Sequence, residues 1–133
     1  MIQCQTLNLF PCSFGKSLVD LNLFSIMKKK AFISGPIQGV EEKQSYRVVI
    51  REICLRYGYE PVDPWEREKI IYKGTEPGWW DRVPAADFIR RDLEDIEGCD
   101  VLIAYSPKLS AGTCMELFYS KINKKKKICI CEI

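Results

Sequence analysis

The sequence contains no histidine, so it lacks the side chain that enzymes use most often as a general base. Its seven cysteines include no pair with CxxC spacing, which leaves zinc-finger sites and Cys–His nucleophiles without their components. The dinucleotide-binding pattern GxGxxG and the phosphate-binding pattern GxxxxGK[ST] are also absent. We therefore expect neither a metal nor a cofactor. By elimination, carboxylates are the candidates for acid–base chemistry.

Long apolar runs and a strong net charge are missing as well. No stretch of about 18 consecutive apolar residues is present, so no transmembrane helix is predicted. The net charge of +2 is too small to indicate a nucleic-acid polymer as partner, and we interpret the basic run Lys124–Lys127 as a solvated turn. Five cysteines in apolar segments are interpreted as small core residues of a cytoplasmic protein. They are Cys54, Cys99, Cys114, Cys129 and Cys131.

The chain of 133 residues has room for one domain. Residues 1–26 match neither the helix period nor the strand period and do not have the form of a signal peptide. We interpret them as an N-terminal extension or as an artefact of an upstream translation start. The domain is therefore assigned to residues 27–133.

Strands and helices are predicted to alternate along this domain. The apolar residues of the first helix are Val48, Val49, Ile53 and Leu55. The order β-α-β-α-β-α-β with short connections predicts a single α/β domain. We expect a doubly wound parallel sheet of the Rossmann or flavodoxin type, with about four to five strands flanked by helices. The predicted strands are 30–34, 59–62, 101–105 and 127–131, and the predicted helices are 41–57, one from 85 and one from 110.

Residues 65–84 contain tryptophans, glycines and prolines and are predicted to form a long connection. Long loops in compact domains are often lids or ligand-binding loops. It is equally consistent with the sequence that the tryptophans cover the core or a subunit interface.

Two glycine-bearing loops, 35–39 and 110–113, each follow a predicted strand. In a parallel sheet such loops lie at the same edge, where α/β proteins bind ligands. The second loop opens a helix, whose free N–H groups suit a phosphate or a developing negative charge. Asp92 and Glu116 are predicted near this edge, with Glu116 in the first turn of its helix. Two converging carboxylates suit the cleavage of a glycosidic bond, although a solvated face and a helix cap explain them equally well.

Three segments, in this order, resemble the nucleoside 2-deoxyribosyltransferase superfamily. They are FISGPIQG (32–39), RDLEDIEGCDVLIAY (91–105) and SAGTCMEL (110–117). The resemblance spans residues 30–133, and the site pattern is most similar to that of the 2'-deoxynucleoside 5'-phosphate N-hydrolases. It implies an enzyme that acts on the N-glycosidic bond of a small nucleotide or nucleoside, and it implies a homodimer.

The resemblance also implies roles for individual residues. Glu116 resembles the glutamate nucleophile that forms a glycosyl-enzyme intermediate, and Asp92 resembles the aspartate that assists protonation of the leaving base. The residues expected to bind the substrate are Phe32, Gly35, Pro36, Ile37, Gln38, Gly39, Ser110, Gly112 and Met115.

Position 110 bears on the substrate. Transferases of free nucleosides tend to carry an aspartate there, whereas Ser110 is typical of the nucleotide hydrolases and does not repel a phosphate. The chain also departs from the family pattern. Phe32 stands where a tyrosine hydroxyl usually positions the glutamate, and Pro36 and Gln38 replace a serine and an arginine of the phosphate loop.

We therefore expect cleavage of a (deoxy)nucleoside 5'-monophosphate with release of free base. The alternatives are a nucleoside 2-deoxyribosyltransferase that exchanges bases and a nucleotide-binding module with impaired catalysis.

Overall fold

The computed structural model describes residues 28–132, so the predicted N-terminal extension lies outside the described residues. Strands and helices alternate, as the sequence predicts, and short 3-10 turns lie at Glu41–Lys43 and Trp79–Arg82. The regular elements are β1 (Lys29–Ser34), α1 (Ser45–Arg56), β2 (Tyr59–Val62), α2 (Pro64–Ile71), α3 (Ala85–Gly98), β3 (Val101–Ser106), α4 (Ala111–Ile122) and β4 (Lys126–Cys131).

The four strands form one parallel sheet in the order β2-β1-β3-β4. Phe32 of β1 lies beside Leu102 of β3. After β2 the chain crosses to the other side of β1, so the strand order reverses between β1 and β3. Loops at the carboxyl ends of these two strands therefore diverge and leave a crevice. The predicted doubly wound α/β fold is confirmed, with four strands.

Helices cover both faces of the sheet. On one face, Ile50 and Cys54 of α1 pack with Ala31 and Ile33 of β1. On the other face, α3 and α4 pack over Phe32 and the central part of β3. This division follows from the alternation of side chains along a strand.

The predicted buried face of the first helix is wrong. Val48 and Val49 are each 55% exposed, whereas α1 buries Arg47, Ile50 and Cys54. These three positions have the i, i+3, i+7 spacing of one helix face. Apolar residues occur around most of α1, so the hydrophobic pattern alone did not identify the inner face.

The segment 65–84 contains a helix where a long connection was predicted. Asp63 caps α2 by accepting a hydrogen bond from the backbone N–H of Trp65 at 3.1 Å, and Pro64 occupies the first turn. An aspartate N-cap followed by proline is a favourable helix start. The prediction took the same two residues only as the end of β2.

The prediction that five cysteines are core residues is also wrong in part. Cys54 and Cys99 are buried, whereas Cys114, Cys129 and Cys131 are exposed. The last two lie in β4, an edge strand whose residues are all exposed. Within residues 28–132, no helix combines the length and the apolar character needed to cross a membrane.

Candidate active site

A pocket of about 350 Å³ opens at the carboxyl ends of β1 and β3, where the strand order reverses. This volume is in the range of small-molecule sites. Its walls come from the loop after β1, from α2, from the turn at Trp79, from α3 and from the start of α4. The two glycine-bearing loops predicted to meet at one edge do so.

Most of the residues predicted to form the site lie together in this pocket. Phe32 does not, because its side chain is fully buried beneath α3 and α4. Pro36 and Gly39 are also absent from the pocket wall; the Pro36 carbonyl accepts a hydrogen bond from Gln44 Nε2 at 3.0 Å. The predicted residues that line the pocket are Gly35, Ile37, Gln38, Asp92, Ser110, Gly112, Met115 and Glu116.

Glu116 is held by a residue that the sequence analysis missed. Ser34 Oγ donates a hydrogen bond to Glu116 Oε2 from the carboxyl end of β1. Because Ser34 follows Phe32 by two positions, both side chains lie on the same face of the strand. Ser34 thus supplies the hydroxyl that Phe32 lacks. Glu116 itself lies in the second turn of α4, not the first as predicted, because Ser110 is the residue that precedes the helix.

Burial raises the pKa of Glu116 to about 7, although the hydrogen bond from Ser34 and the positive charge of Arg47 act in the opposite direction. An unperturbed glutamate is almost fully ionised at neutral pH. Glu116 is therefore close to half ionised there, so its charge responds to small changes in the pocket.

Asp92 holds its proton still more strongly. Burial raises its pKa to about 8, and the negative charges of Glu116 and Glu68 act in the same direction. Arg67 Nη2 donates to Asp92 Oδ1 at 3.1 Å and opposes this shift in part. Neighbouring carboxyls of different pKa suit a division into an ionised nucleophile and a protonated acid. Because the two groups interact, their titrations are coupled.

Glu68 is a third carboxyl of the pocket and was not predicted. It lies on α2, its side chain is buried, and Arg67 Nε donates to its Oε1 at 3.3 Å. Burial raises the pKa of Glu68, the positive charges of Arg91 and Arg67 lower it, and the first effect is larger. The prediction of a loop at 65–84 left no basis for placing this side chain.

The first loop is shaped from behind by Arg47, which is 2% exposed. Its guanidinium donates to the carbonyls of Ile33 and Gly35 at 3.1 and 3.0 Å and to Asp63 Oδ1 at 2.7 Å. At Gly35, a Cβ would lie 2.2 Å from the Tyr46 hydroxyl. The close approach of Tyr46 therefore requires glycine at this position.

Several polar atoms of the pocket have no partner. Among the described residues, the buried side-chain atoms without a hydrogen bond are Asp63 Oδ2, Glu68 Oε2, Trp79 Nε1 and Thr113 Oγ1. The last three belong to residues that line the pocket. Unsatisfied buried polar atoms are uncommon in native proteins and call for an explanation. A polar ligand in the pocket would provide one.

The charged side chains in the pocket wall are all acidic. The lining residues of the described chain include Glu68, Asp92 and Glu116 but neither lysine nor arginine. Among residues 28–132, no group of three or more histidine, cysteine, aspartate or glutamate side chains is placed to hold a metal ion.

Comparison with solved structures shows the same fold in other proteins. A 2-desoxiribosyltransferase from Leishmania mexicana superposes with a TM-score of 0.58 and 20% identity, over 77% of this chain and 64% of that chain. A CMP N-glycosidase from Clostridium botulinum gives a TM-score of 0.46 and 19% identity, over 77% of this chain and 71% of the other. No protein-family model matches the sequence, and no curated protein matches it.

At 20% identity, the likeness to the Leishmania enzyme is a likeness of fold. The aligned region spans less than two thirds of that enzyme's length. The fold implied by the resemblance of the three sequence segments is thus confirmed: a nucleoside 2-deoxyribosyltransferase-like α/β domain with its pocket at the switch point of the sheet.

Proposed function

We propose that this protein is an enzyme of the nucleoside 2-deoxyribosyltransferase superfamily that cleaves the N-glycosidic bond of a (deoxy)nucleoside 5'-monophosphate and releases free base. The observation that carries the proposal is the pairing of Glu116 and Asp92 in one pocket, each with a pKa raised into the neutral range. The shared fold of the Leishmania transferase supports it.

In the first step, the Glu116 carboxylate attacks the anomeric carbon as the bond from that carbon to the base nitrogen breaks. The base leaves with the bonding electron pair and takes a proton from Asp92. An ester then joins Glu116 to the sugar. In the second step, Asp92 accepts a proton from a water molecule that attacks the anomeric carbon, and the Glu116 carboxylate is released.

Ser34 is a positioning residue in this scheme. Its hydroxyl donates to Glu116 Oε2, so the other carboxylate oxygen, Oε1, remains available for attack. The same hydrogen bond lowers the pKa of Glu116 and so favours the reactive, ionised form.

For the 5'-phosphate, we propose the start of α4. Ser110 and Gly112 line the pocket there, and free backbone N–H groups at a helix start favour an anion. The buried hydroxyl of Thr113, which has no partner among the described residues, supports a polar ligand at this position.

A nucleoside 2-deoxyribosyltransferase is the second candidate. In that reaction a second base, instead of water, attacks the ester carbon and resolves the intermediate. The all-acidic pocket wall favours this candidate, because a phosphate dianion beside three carboxyls would find no cationic side chain among the described lining residues.

The test is chromatographic detection of free base after incubation with each common nucleoside 5'-monophosphate and with each unphosphorylated nucleoside. Glu116→Gln is the inactive control, and Glu94→Gln on the exposed face of α3 is the matched control that we expect to retain activity. Release from monophosphates supports the hydrolase. Release from nucleosides only when an acceptor base is present supports the transferase, and binding without release supports a module with impaired catalysis.

We further propose a homodimer in the cytoplasm. Met115, Phe118 and Ile122 form an exposed apolar stripe along α4, and Met115 also lines the pocket. The i, i+3, i+7 spacing puts them on one helix face. Light scattering with Phe118→Glu tests the dimer: we expect a dimer for the unmodified chain and a monomer for the variant.

A further inference from the structure

Two of the unpartnered polar atoms in the pocket come from the chain that follows β2. Glu68 lies on α2 and is 2% exposed, and Trp79 lies on the following 3-10 turn and is 4% exposed. The proposed phosphate-binding groups instead follow β3, on the other side of the switch point. A substrate that contacts both walls would place its sugar phosphate at α4 and its base at Glu68 and Trp79.

Only one oxygen of Glu68 is used within the described residues. Oε1 accepts from Arg67 Nε at 3.3 Å and has Arg91 Nη2 at 3.8 Å, whereas Oε2 has no partner there. Arg67 also donates to Asp92 Oδ1 and to Asp95 Oδ2, at 3.1 and 2.7 Å. The orientation of Glu68 is therefore tied to that of the proposed acid.

The indole of Trp79 is held by aromatic neighbours on two sides. Its ring is nearly parallel to that of Tyr72, with centroids 6.0 Å apart, and it meets Phe88 in an edge-on arrangement at the same distance. Its Nε1–H has no acceptor among the described residues. The wall thus offers one fixed donor and one fixed acceptor, with Trp80, Phe88 and Ile89 providing apolar surface for a flat ring.

We infer, resting on the proposed function, that Glu68 and Trp79 recognise the base and select one that bears an exocyclic amino group beside a ring nitrogen, as in cytosine and adenine. Glu68 Oε2 accepts a hydrogen bond from the amino group, a pairing that carboxylates also make with cytosine in nucleic acids. Trp79 Nε1–H donates to the neighbouring ring nitrogen. Neither atom is then left without a partner.

The deaminated counterparts fit this wall less well. In uracil and hypoxanthine, a keto oxygen replaces the amino group and would face the Glu68 carboxylate, which repels it. The imide N–H can still approach Glu68, but a keto oxygen adjoins that N–H and comes close to the same carboxylate. A site whose buried polar groups lose their partners discriminates strongly against the wrong ligand.

The experiment compares kcat/KM for base release from cytidine with uridine and from adenosine with inosine, each in the phosphorylated or free form that the enzyme accepts. We expect the amino member of each pair to be preferred at least about tenfold, a difference of about 1.4 kcal/mol. Glu68→Gln should remove most of this preference, because the amide presents a donor as well as an acceptor. Trp79→Phe should lower kcat/KM for the amino member about tenfold.

Glu66→Gln is the matched control, since Glu66 lies on the same helix but does not line the pocket. Circular dichroism and thermal melting check that each variant folds; if Glu68→Gln does not, Trp79→Phe and the selectivity of the unmodified enzyme still decide. Equal rates for the amino and keto members, or an unchanged preference in Glu68→Gln, would overturn the inference while base release continued to support the proposed function.

If no base is released from any compound, the proposed function fails, and the same pairs are compared by calorimetric binding. Preferred binding of the amino member, reduced in Glu68→Gln, would support the recognition wall without catalysis. Equal binding, or no binding, would overturn it.

Discussion

The molecule buries charge in two places, and it treats them differently. Behind the first loop, Arg47 and Asp63 form an ion pair with side chains 2% and 3% exposed, and Arg47 has further partners in the Ile33 and Gly35 carbonyls. In the pocket, Glu116 has only the hydroxyl of Ser34 as a described hydrogen-bond partner. One guanidinium, that of Arg67, serves Asp92, Glu68 and Asp95.

The difference separates structure from chemistry. A buried ion pair with its hydrogen bonds satisfied fixes the geometry of the chain, and it is costly to break. Carboxyls that are buried with too little positive charge keep their protons at neutral pH and are typical of catalytic sites. The Arg47–Asp63 pair therefore reads as scaffold, and the pocket carboxyls read as the reactive groups.

The largest expected effect comes from removing the proposed nucleophile. Glu116→Gln preserves the size of the side chain but cannot form the ester, so we expect kcat for base release to fall roughly 10⁴- to 10⁶-fold. Binding of the substrate, measured by calorimetry, should change little. An activity loss of less than tenfold would remove Glu116 from the mechanism.

Replacing the proposed acid should cost less. For Asp92→Asn we expect kcat to fall about 10²- to 10⁴-fold, the usual contribution of general acid catalysis. The unmodified enzyme should show a bell-shaped pH profile, rising as Glu116 ionises near its pKa of about 7 and falling as Asp92 ionises near its pKa of about 8. Asp92→Asn should lose the alkaline limb; a variant that kept it would show that another group is the acid.

The Arg47–Asp63 pair should affect folding more than the pocket does. Arg47→Ala leaves Asp63 without its buried partner and removes donors to two carbonyls. We expect a loss of about 3–5 kcal/mol in the free energy of unfolding, measured with urea. Arg51→Ala on the exposed side of the same helix is the control, since its pair with Glu66 is partly exposed, and it should cost less than about 1 kcal/mol. Equal losses in the two variants would contradict the distinction drawn here.

The unneutralised carboxyls should also make stability depend on pH. The pKa values of Glu116 and Asp92 are raised on folding from 4.5 and 3.8 to about 7 and about 8. The folded state therefore binds more protons than the unfolded state in this range, and stability falls as pH rises from about 4 to 8. We expect Tm to decrease by several degrees over this range, and to decrease less in the Glu116→Gln, Asp92→Asn double variant. An identical decrease in both proteins would show that other groups cause it.

The smallest effect is expected at Ser34. Ser34→Ala removes the hydrogen bond that stabilises the Glu116 carboxylate, so the pKa of Glu116 should rise further. The acid limb of the pH profile then moves to higher pH, and activity at pH 6 falls about tenfold. Ser34→Thr, which keeps the hydroxyl, should restore the limb. A change in kcat without a shift of the limb would speak against this role.

Local signals predicted the sheet and most helices, because strand alternation and buried apolar runs depend on near neighbours. The same approach missed α2, since Asp63–Pro64 both ends β2 and begins the helix. The contacts that organise the site were beyond its reach. Ser34 and Glu116 are 82 positions apart, and Arg67 and Asp92 are 25 apart. The sequence analysis located Asp92 and Glu116 through a family resemblance, but it offered no comparable signal for Ser34, Glu68 or Arg47.

The central claim is that Glu116 becomes covalently attached to the sugar. The most direct test is rapid quenching of the enzyme with its substrate, followed by proteolysis and mass spectrometry of the peptide that contains Glu116. We predict that this peptide gains the mass of the sugar, or of the sugar phosphate, as an ester on Glu116, and that Glu116→Gln shows no such gain. Base release with no adduct at any time of quenching, or with the adduct on another residue, would contradict the account.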